Sequence, residues 1–442
     1  MTMTDSDVPT GVPSASSVAA DGEVTRVVRR RRSEHPEPRG RSARRSRSGS
    51  RRREHTVWWQ LATTIGFTGL LIGFAVTGYR ASLLITGGNA SKVTDPKAPG
   101  YVAEVRPTPV DMVAVTADDG SLASVLIITT PQSGSGGTVS VLPATIAAGP
   151  GPDGLYRSLR AVFADGGLAE LRSELATGMT FGFTSAEQVS AQTMKAGAGL
   201  AGPLTVSNVD NLIDSPQRGK ITNDRNAEVV RYRAGDVRLQ ADQVTEFLAF
   251  DGIGEAPDSQ LLRHEQVWKQ LFGALKGKDL SRISKDDASA PTGAVGDLFT
   301  QLVGGDMTFE TVPTAPRTIP GTIFTAFIPD PAALPTYVSR VVPFPTSGSP
   351  GQRARVELLN GTTKEDAAVL VAPKVVAAGG EISLLGNADS FDIATTRVEY
   401  LAPEAKAAAE QIAATLGLKA TKASATSGGV DVRVVVGADR TS

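Results

Sequence analysis

The chain has 442 residues, a formal net charge of −1 and no cysteine, so disulfides, thiolate catalysis and cysteine-ligated metals are excluded. Its length exceeds that of one average domain, roughly 100–200 residues. An apolar share of 40% fits neither a wholly disordered chain nor a polytopic membrane protein.

The near-neutral total hides a segregation of charge. Residues 1–55 carry Arg26, Arg29 to Arg32, Arg39, Arg41, Arg44, Arg45, Arg47 and Arg51 to Arg53 among Ser, Gly and Pro. That composition cannot bury a core and predicts a disordered basic tail. The next segment, 56–80, contains the uncharged run VWWQLATTIGFTGLLIGFAVTGY at 57–79, close to the roughly 20 residues a membrane-crossing helix needs. Trp58, Trp59 and Tyr79 stand at its ends, where amphipathic rings favour the headgroup level. With the basic tail on one side, the positive-inside rule predicts a single-pass plasma-membrane protein, N-terminus cytoplasmic and C-terminus extracytoplasmic. The tail is expected to meet membrane lipid. No aromatic residues interleave its arginines, and no nucleic-acid partner is expected. Residues 81–109, mixed in Gly, Pro, Ser and Lys, read as a stalk.

Folded sequence is expected from residue 110. Runs at 110–117 (VDMVAVTA), 123–130 (ASVLIITT) and 138–142 (TVSVL), separated by DDG and SGSGG, predict a strand meander with Asp118 and Asp119 in a hairpin turn. Leu155, Leu159, Val162 and Phe163 recur at helical spacing before an expected stop at Gly166 and Gly167. Helical patterns continue at 168–176 and 185–195. The sequence GAGLAG at 197–202 formally fits a dinucleotide fingerprint, but a helical pattern precedes it and Pro203 follows, so it reads as a loop. Residues 228–239 read as a strand pair turning at 234–236, and 240–250 as a helix. A stronger helix is expected at 259–275, with Leu261, Leu262, Val267, Trp268, Leu271, Phe272 and Leu275 on an apolar stripe. His264, the one histidine of three within this folded part, is expected to border that helix rather than bind metal.

Residues 343–352 (PFPTSGSPGQ) read as a linker. Beyond it the predicted order is a strand at 354–359, a helix at 364–378, strands at 381–385 and 395–401, a helix at 403–416 and a strand at 430–436, a β-α-β-β-α-β unit. The residues Leu359, Asn360, Gly361 and Thr362, followed by Gly386, Asn387, Ala388 and Asp389, make the stretch 353–439 resemble the LytR C-terminal domain. Pro373 departs from that pattern and is expected to kink or shorten the first helix. Asn360 and Asn387 read as turn formers that tolerate positive φ.

The preceding stretch, 110–342, resembles the LytR-CpsA-Psr catalytic domain, through Asp111 at the start of the first core strand, through Ala161, Phe163, Gly166 and Gly167, and through Arg263 in LLRHEQVWKQLF. The resemblance implies an α/β (α+β) fold, a mixed sheet flanked by helices. It also implies an activity: active members transfer glycopolymers from a polyprenyl-pyrophosphate carrier to peptidoglycan, with arginines and a magnesium-binding acid holding the pyrophosphate. This chain departs from the pattern. P-R-D becomes Pro143, Ala144 and Thr145, the arginine-bearing turn becomes Ala249 to Asp251, and Gln260 stands where another arginine is expected.

Each lost electrostatic donor removes about 2.7–4 kcal/mol of transition-state stabilisation. The favoured reading is therefore a membrane-anchored envelope accessory protein, a pseudoenzyme without catalytic residues or cofactor. Its expected partners are a cell-wall glycopolymer, a polyprenyl-phosphate lipid or another envelope protein. The alternative is a divergent phosphotransferase that uses Mg2+. The candidate ligand-binding residues under either reading are Asp111, Arg157, Arg231, Arg233 and Arg263, with Arg231 and Arg233 sharing a strand face.

Overall fold

In the computed structural model of the chain, residues 92–150, 154–214, 228–280, 294–319, 325–424 and 429–440 are described. The basic tail and the apolar run at 57–79 lie outside them. No described helix is long and apolar enough to cross a membrane.

The first strand, β1 (Val102–Glu104), falls inside the segment read as a stalk, yet it belongs to a sheet formed mostly by the far end of the chain. The expected meander follows as β2 (Val110–Thr116), β3 (Leu122–Thr129) and β4 (Gly137–Pro143), paired antiparallel in succession. A short pair, β5 (Ala147–Pro150) and β6 (Tyr156–Ser158), leads into helix α1 (Leu159–Met179). Ser158 caps α1 by accepting from the Ala161 amide. The expected glycine stop is a kink instead: Gly167 leaves helical geometry at φ 65°, and the chain resumes as helix for another three turns. Leu155 lies outside the helix and is exposed.

The stretch 185–195 is not all helix. Residues Ser185–Val189 form β7, parallel to β2, and Ser190 then caps α2 (Ala191–Ala201). Pairing along β2 overrides the local helical pattern. Helix α2 also runs through Gly197 and Gly199, so GAGLAG is neither a phosphate loop nor an open loop.

Strands β8 (Leu204–Asn208) and β9 (Leu212–Asp214) precede β10 (Val229–Tyr232) and β11 (Gly235–Leu239). The expected pairing of the last two with each other is absent: β10 pairs with β9 and β11 with β8. The helix predicted at 240–250 is the shorter α3 (Val244–Ala249), and α4 spans Pro257–Leu275. Leu262 points away from its apolar stripe and is exposed. After α5 (Ala294–Val303), β12 (Met307–Phe309) joins β4 in parallel, and the hairpin β13 (Thr314–Thr318) and β14 (Thr325–Pro329) precedes α6 (Leu334–Val341).

The central sheet thus runs β12-β4-β3-β2-β7. Alternation along β2 and β3 splits the core in two. Met112, Ala114, Val125 and Ile127 face one layer with Leu171 and Leu175 of α1 and Val338 of α6. Val113, Val115, Leu126 and Ile128 face the other, with Phe247 of α3, Trp268 and Phe272 of α4, and Phe299 of α5. Both faces of the sheet are covered by helices, as the resemblance implies.

The C-terminal module comprises β15 (Ala354–Asn360), α7 (Ala367–Ala377), β16 (Gly380–Asn387), β17 (Arg397–Tyr400), α8 (Lys406–Thr415), β18 (Ala420–Lys422) and β19 (Val432–Val436). Its sheet order is β1-β16-β15-β19-β17-β18. Helix α7 starts three residues later than expected and continues through Pro373 for another turn. Val356, Val375 and Ile412 continue the core layer of α1 and α6. The expected linker is structured too: Ser347 donates to Glu381, Gln352 donates to the Thr177 carbonyl, and Thr108 and Phe344 exchange hydrogen bonds.

Candidate functional site

Asp111 sits on β2 opposite Ser185 of β7, whose hydroxyl donates to it at 2.7 Å. Burial raises the Asp111 carboxyl above its ordinary range, against the lowering effect of Ser185. Glu187, two residues along β7, is raised by burial and by the charge of Asp111. By strand alternation Asp111 shares the face of Val113 and Val115, the layer opposite α1. Among the described residues no group of three or more side chains that could hold a metal ion forms.

The four candidate arginines are held in different places. Arg157 meets Asp165 at 3.2 Å and Glu174 at 3.3 Å, all on the α1 side. Arg231 projects from β10 to Glu246 of α3 at 2.6 Å, with both side chains about half exposed. Arg233 is exposed, its carbonyl accepting from the Asn208 amide.

Arg263 is fully buried. It grips both carboxylate oxygens of the equally enclosed Glu255 at 2.7 and 2.9 Å, donates to the Phe250 carbonyl at 2.7 Å and to the Phe247 carbonyl, and lies over the Phe247 ring. A cation on the last carbonyls of α3 complements that helix's C-terminal dipole. The candidate residues thus meet different partners: Asp111 meets Ser185, Arg157 the acids of α1, Arg231 Glu246 of α3, and Arg263 Glu255.

The positions at which this chain departs from that pattern are packed against one another or against backbone. The Thr145 hydroxyl donates to Gln260 Oε1 at 2.5 Å, so the two substituted positions face each other as a neutral pair. Arg160, which sequence reasoning missed, donates to the Ala249 carbonyl at 2.8 Å and to the Leu122 carbonyl at 3.1 Å. Within the turn at 249–251, the Ala249 carbonyl is thus held by Arg160 and the Phe250 carbonyl by Arg263. An arginine between Leu159 and Ala161 in an apolar helical run is the only local sign of that role.

His264, beside Arg263, is buried, with Nδ1 3.2 Å from the Ser124 hydroxyl and Nε2 without a partner. Burial, aided by the charge of Arg263, holds its imidazole well below the usual range. The unfolded chain accepts a proton near pH 6.5, whereas the folded chain does not. Its contribution to stability is therefore full above that pH and is lost as pH falls below it. Urea unfolding should show the advantage of the wild type over His264→Leu shrinking between pH 7.5 and 5.5, by at most about 1.4 kcal/mol per pH unit. A pH-independent difference would contradict this.

Asn360 and Asn387 do not act as positive-φ turn formers; among the described non-glycine residues only Thr180 has positive φ. Asn360 Oδ1 accepts from the Thr362 amide and hydroxyl while its Nδ2 donates to the Lys364 carbonyl. Asn387 reaches outside the expected module, to the carbonyls of Pro96 and Ala98.

Residues 353–439 match the family model described as LytR cell envelope-related transcriptional attenuator. No curated protein matches the chain. Among solved structures, TagT bound to LIIa-WTA is similar at 12% identity and TM-score 0.39, covering 58% of this chain and 98% of that one. B. subtilis TagV is similar at 11% identity and TM-score 0.38, covering 53% and 98%. A LytR-Csp2A-Psr enzyme from Actinomyces oris is similar at 13% identity and TM-score 0.39, covering 58% and 93%. Likenesses this distant assign no activity to this chain.

Proposed function

We propose that this chain, which carries a LytR C-terminal module over residues 353–439, is a membrane-anchored, extracytoplasmic component of the cell envelope. It acts by binding a wall glycopolymer, its lipid-linked precursor or an envelope partner, and not by turnover. The observation that carries the non-catalytic reading is Arg263. Where the sequence pattern keeps an arginine for pyrophosphate, this side chain is enclosed and its donors are engaged by Glu255 and two carbonyls. A pyrophosphate would have to displace a buried carboxylate to reach it, at the several kcal/mol that breaking a buried ion pair costs. The neutral Thr145–Gln260 pair supports the same reading, because it offers an anion no charge. The anchor and its orientation rest on the arginine-rich tail followed by the uncharged run at 57–79.

The full chain in detergent, given Mg2+ and a polyprenyl-pyrophosphate-linked saccharide, should release no phosphate and transfer no glycan to peptidoglycan fragments. Magnesium-dependent turnover would defeat the reading.

A further inference from the structure

Without β1, the C-terminal sheet would end at β16 with a row of unpaired backbone groups, which is a template for a further strand. Residues 95–105 fill that place. β1 pairs antiparallel with β16, Val102 opposite Gly386, Ala103 opposite Leu385 and Glu104 opposite Leu384. The pairing continues beyond the strand in both directions: Asn387 donates its amide to the Tyr101 carbonyl at 2.7 Å, Gly100 donates to the Ala388 carbonyl at 2.9 Å, and Val105 donates to the Ser383 carbonyl at 2.9 Å. The Asn387 side-chain amide holds the turn ahead of the strand, donating to Pro96 at 3.0 Å and Ala98 at 2.9 Å.

Gly386 is required by the same approach, since a Cβ there would lie 2.0 Å from the Tyr101 carbonyl oxygen. Tyr101 and Ala103 are buried, and Val102 packs on Leu359, Ala388 and Val435. Three successive residues of the G-N-A-D turn, Gly386, Asn387 and Ala388, thus make this contact together.

We propose that the β16 edge and its G-N-A-D turn form a receptor for an extended peptide segment, closed within the chain by residues 95–105. Recognition is by strand addition: backbone pairing supplies attraction, Gly386 gives the clearance, and the Asn387 amide reads a pair of carbonyls before the strand. The segment it captures follows the apolar run at 57–79 in sequence, so on the membrane-anchored reading proposed above the module clasps the exported body at its root. The stretch between β1 and β2 is bound to the chain's own residues through the Thr108–Phe344 pair, which favours capture within one chain over exchange between copies.

Glu104 and Leu384 form a non-hydrogen-bonded cross-strand pair, the closer kind, in a chain free of cysteine. In the full chain in detergent, the E104C/L384C variant should form an intrachain disulfide on mild oxidation. A mixture of the two single-cysteine chains should form no heterodimer. Adding Asn387→Leu should slow disulfide closure at least tenfold. A labelled peptide of residues 95–105 should bind the Ala103→Pro chain, whose β1 lacks a ladder donor, at least tenfold more tightly than the wild type, and Asn387→Leu should abolish that gain. Cross-linking mainly between chains, closure unaffected by Asn387→Leu, or equal peptide affinity for folded opened and closed chains would each overturn the proposal.

Discussion

Replacing Arg263 by methionine should cost the folded chain about 3–5 kcal/mol, because it leaves the Glu255 carboxylate buried without its cation. The loss has two sources of unequal size. The carbonyls of Phe247 and Phe250 forfeit charge-assisted hydrogen bonds. The stranded carboxylate is the larger source, since an unpaired buried charge forces either proton uptake or water entry. The double variant Arg263→Met with Glu255→Leu should therefore recover most of the loss. Urea unfolding followed by circular dichroism measures both. An Arg263→Met chain as stable as the wild type would mean that this arginine is free for a ligand after all.

The second large effect is expected at Arg353. Its enclosed guanidinium donates to the Thr180 carbonyl at 2.6 Å at the end of α1, and to the Val376 and Gly380 carbonyls at 2.9 and 3.0 Å beside α7 and β16. Burial pulls its pKa down to about 10, so it remains charged at neutral pH. Arg353→Met strands three acceptors, each costing about 1–3 kcal/mol when left unpaired, for a total of about 3 kcal/mol or more. Lysine should rescue little, because one ammonium cannot reproduce the planar fork that spans both modules. Hydrogen exchange should quicken first at residues 177–183 and 376–381. Quickening spread evenly over the chain would contradict a rivet between modules.

The parts of this fold legible in the sequence are those whose signal is local. β2 to β4 announce themselves as β-branched runs between glycine-rich turns, and α4 as a stripe through Leu261, Val267, Trp268 and Leu271. The β-α-β-β-α-β order of the C-terminal module was readable for the same reason, except for β18, a three-residue strand that the sequence reading lacks. What the residues do not disclose is pairing at a distance. Nothing in Val102, Ala103 and Glu104 points to Leu384, Leu385 and Gly386, so a strand reads as a stalk. Ser185–Val189 looks helical until β2 supplies a partner.

The engagement of the candidate arginines is hidden from the sequence in a related way. An arginine can be picked out by type, but whether its charge is free depends on acids such as Glu255, eight residues away on the chain, and on backbone carbonyls that carry no sequence signal. The lost charges at Thr145 and Gln260 were legible one at a time. Their direct contact was not.

The central claim is that Arg263, the arginine kept from the family pattern, is engaged by the chain's own groups and does not grip a pyrophosphate. Nitrogen-15 NMR of the arginine Nε groups, with Mg2+ and inorganic pyrophosphate titrated into the full chain in detergent, tests it most directly. The Arg263 signal, assigned by its disappearance in Arg263→Lys, should stay unmoved throughout. A saturable shift of that signal, absent when Mg2+ is withheld, would show that the side chain meets the anion and would contradict the account.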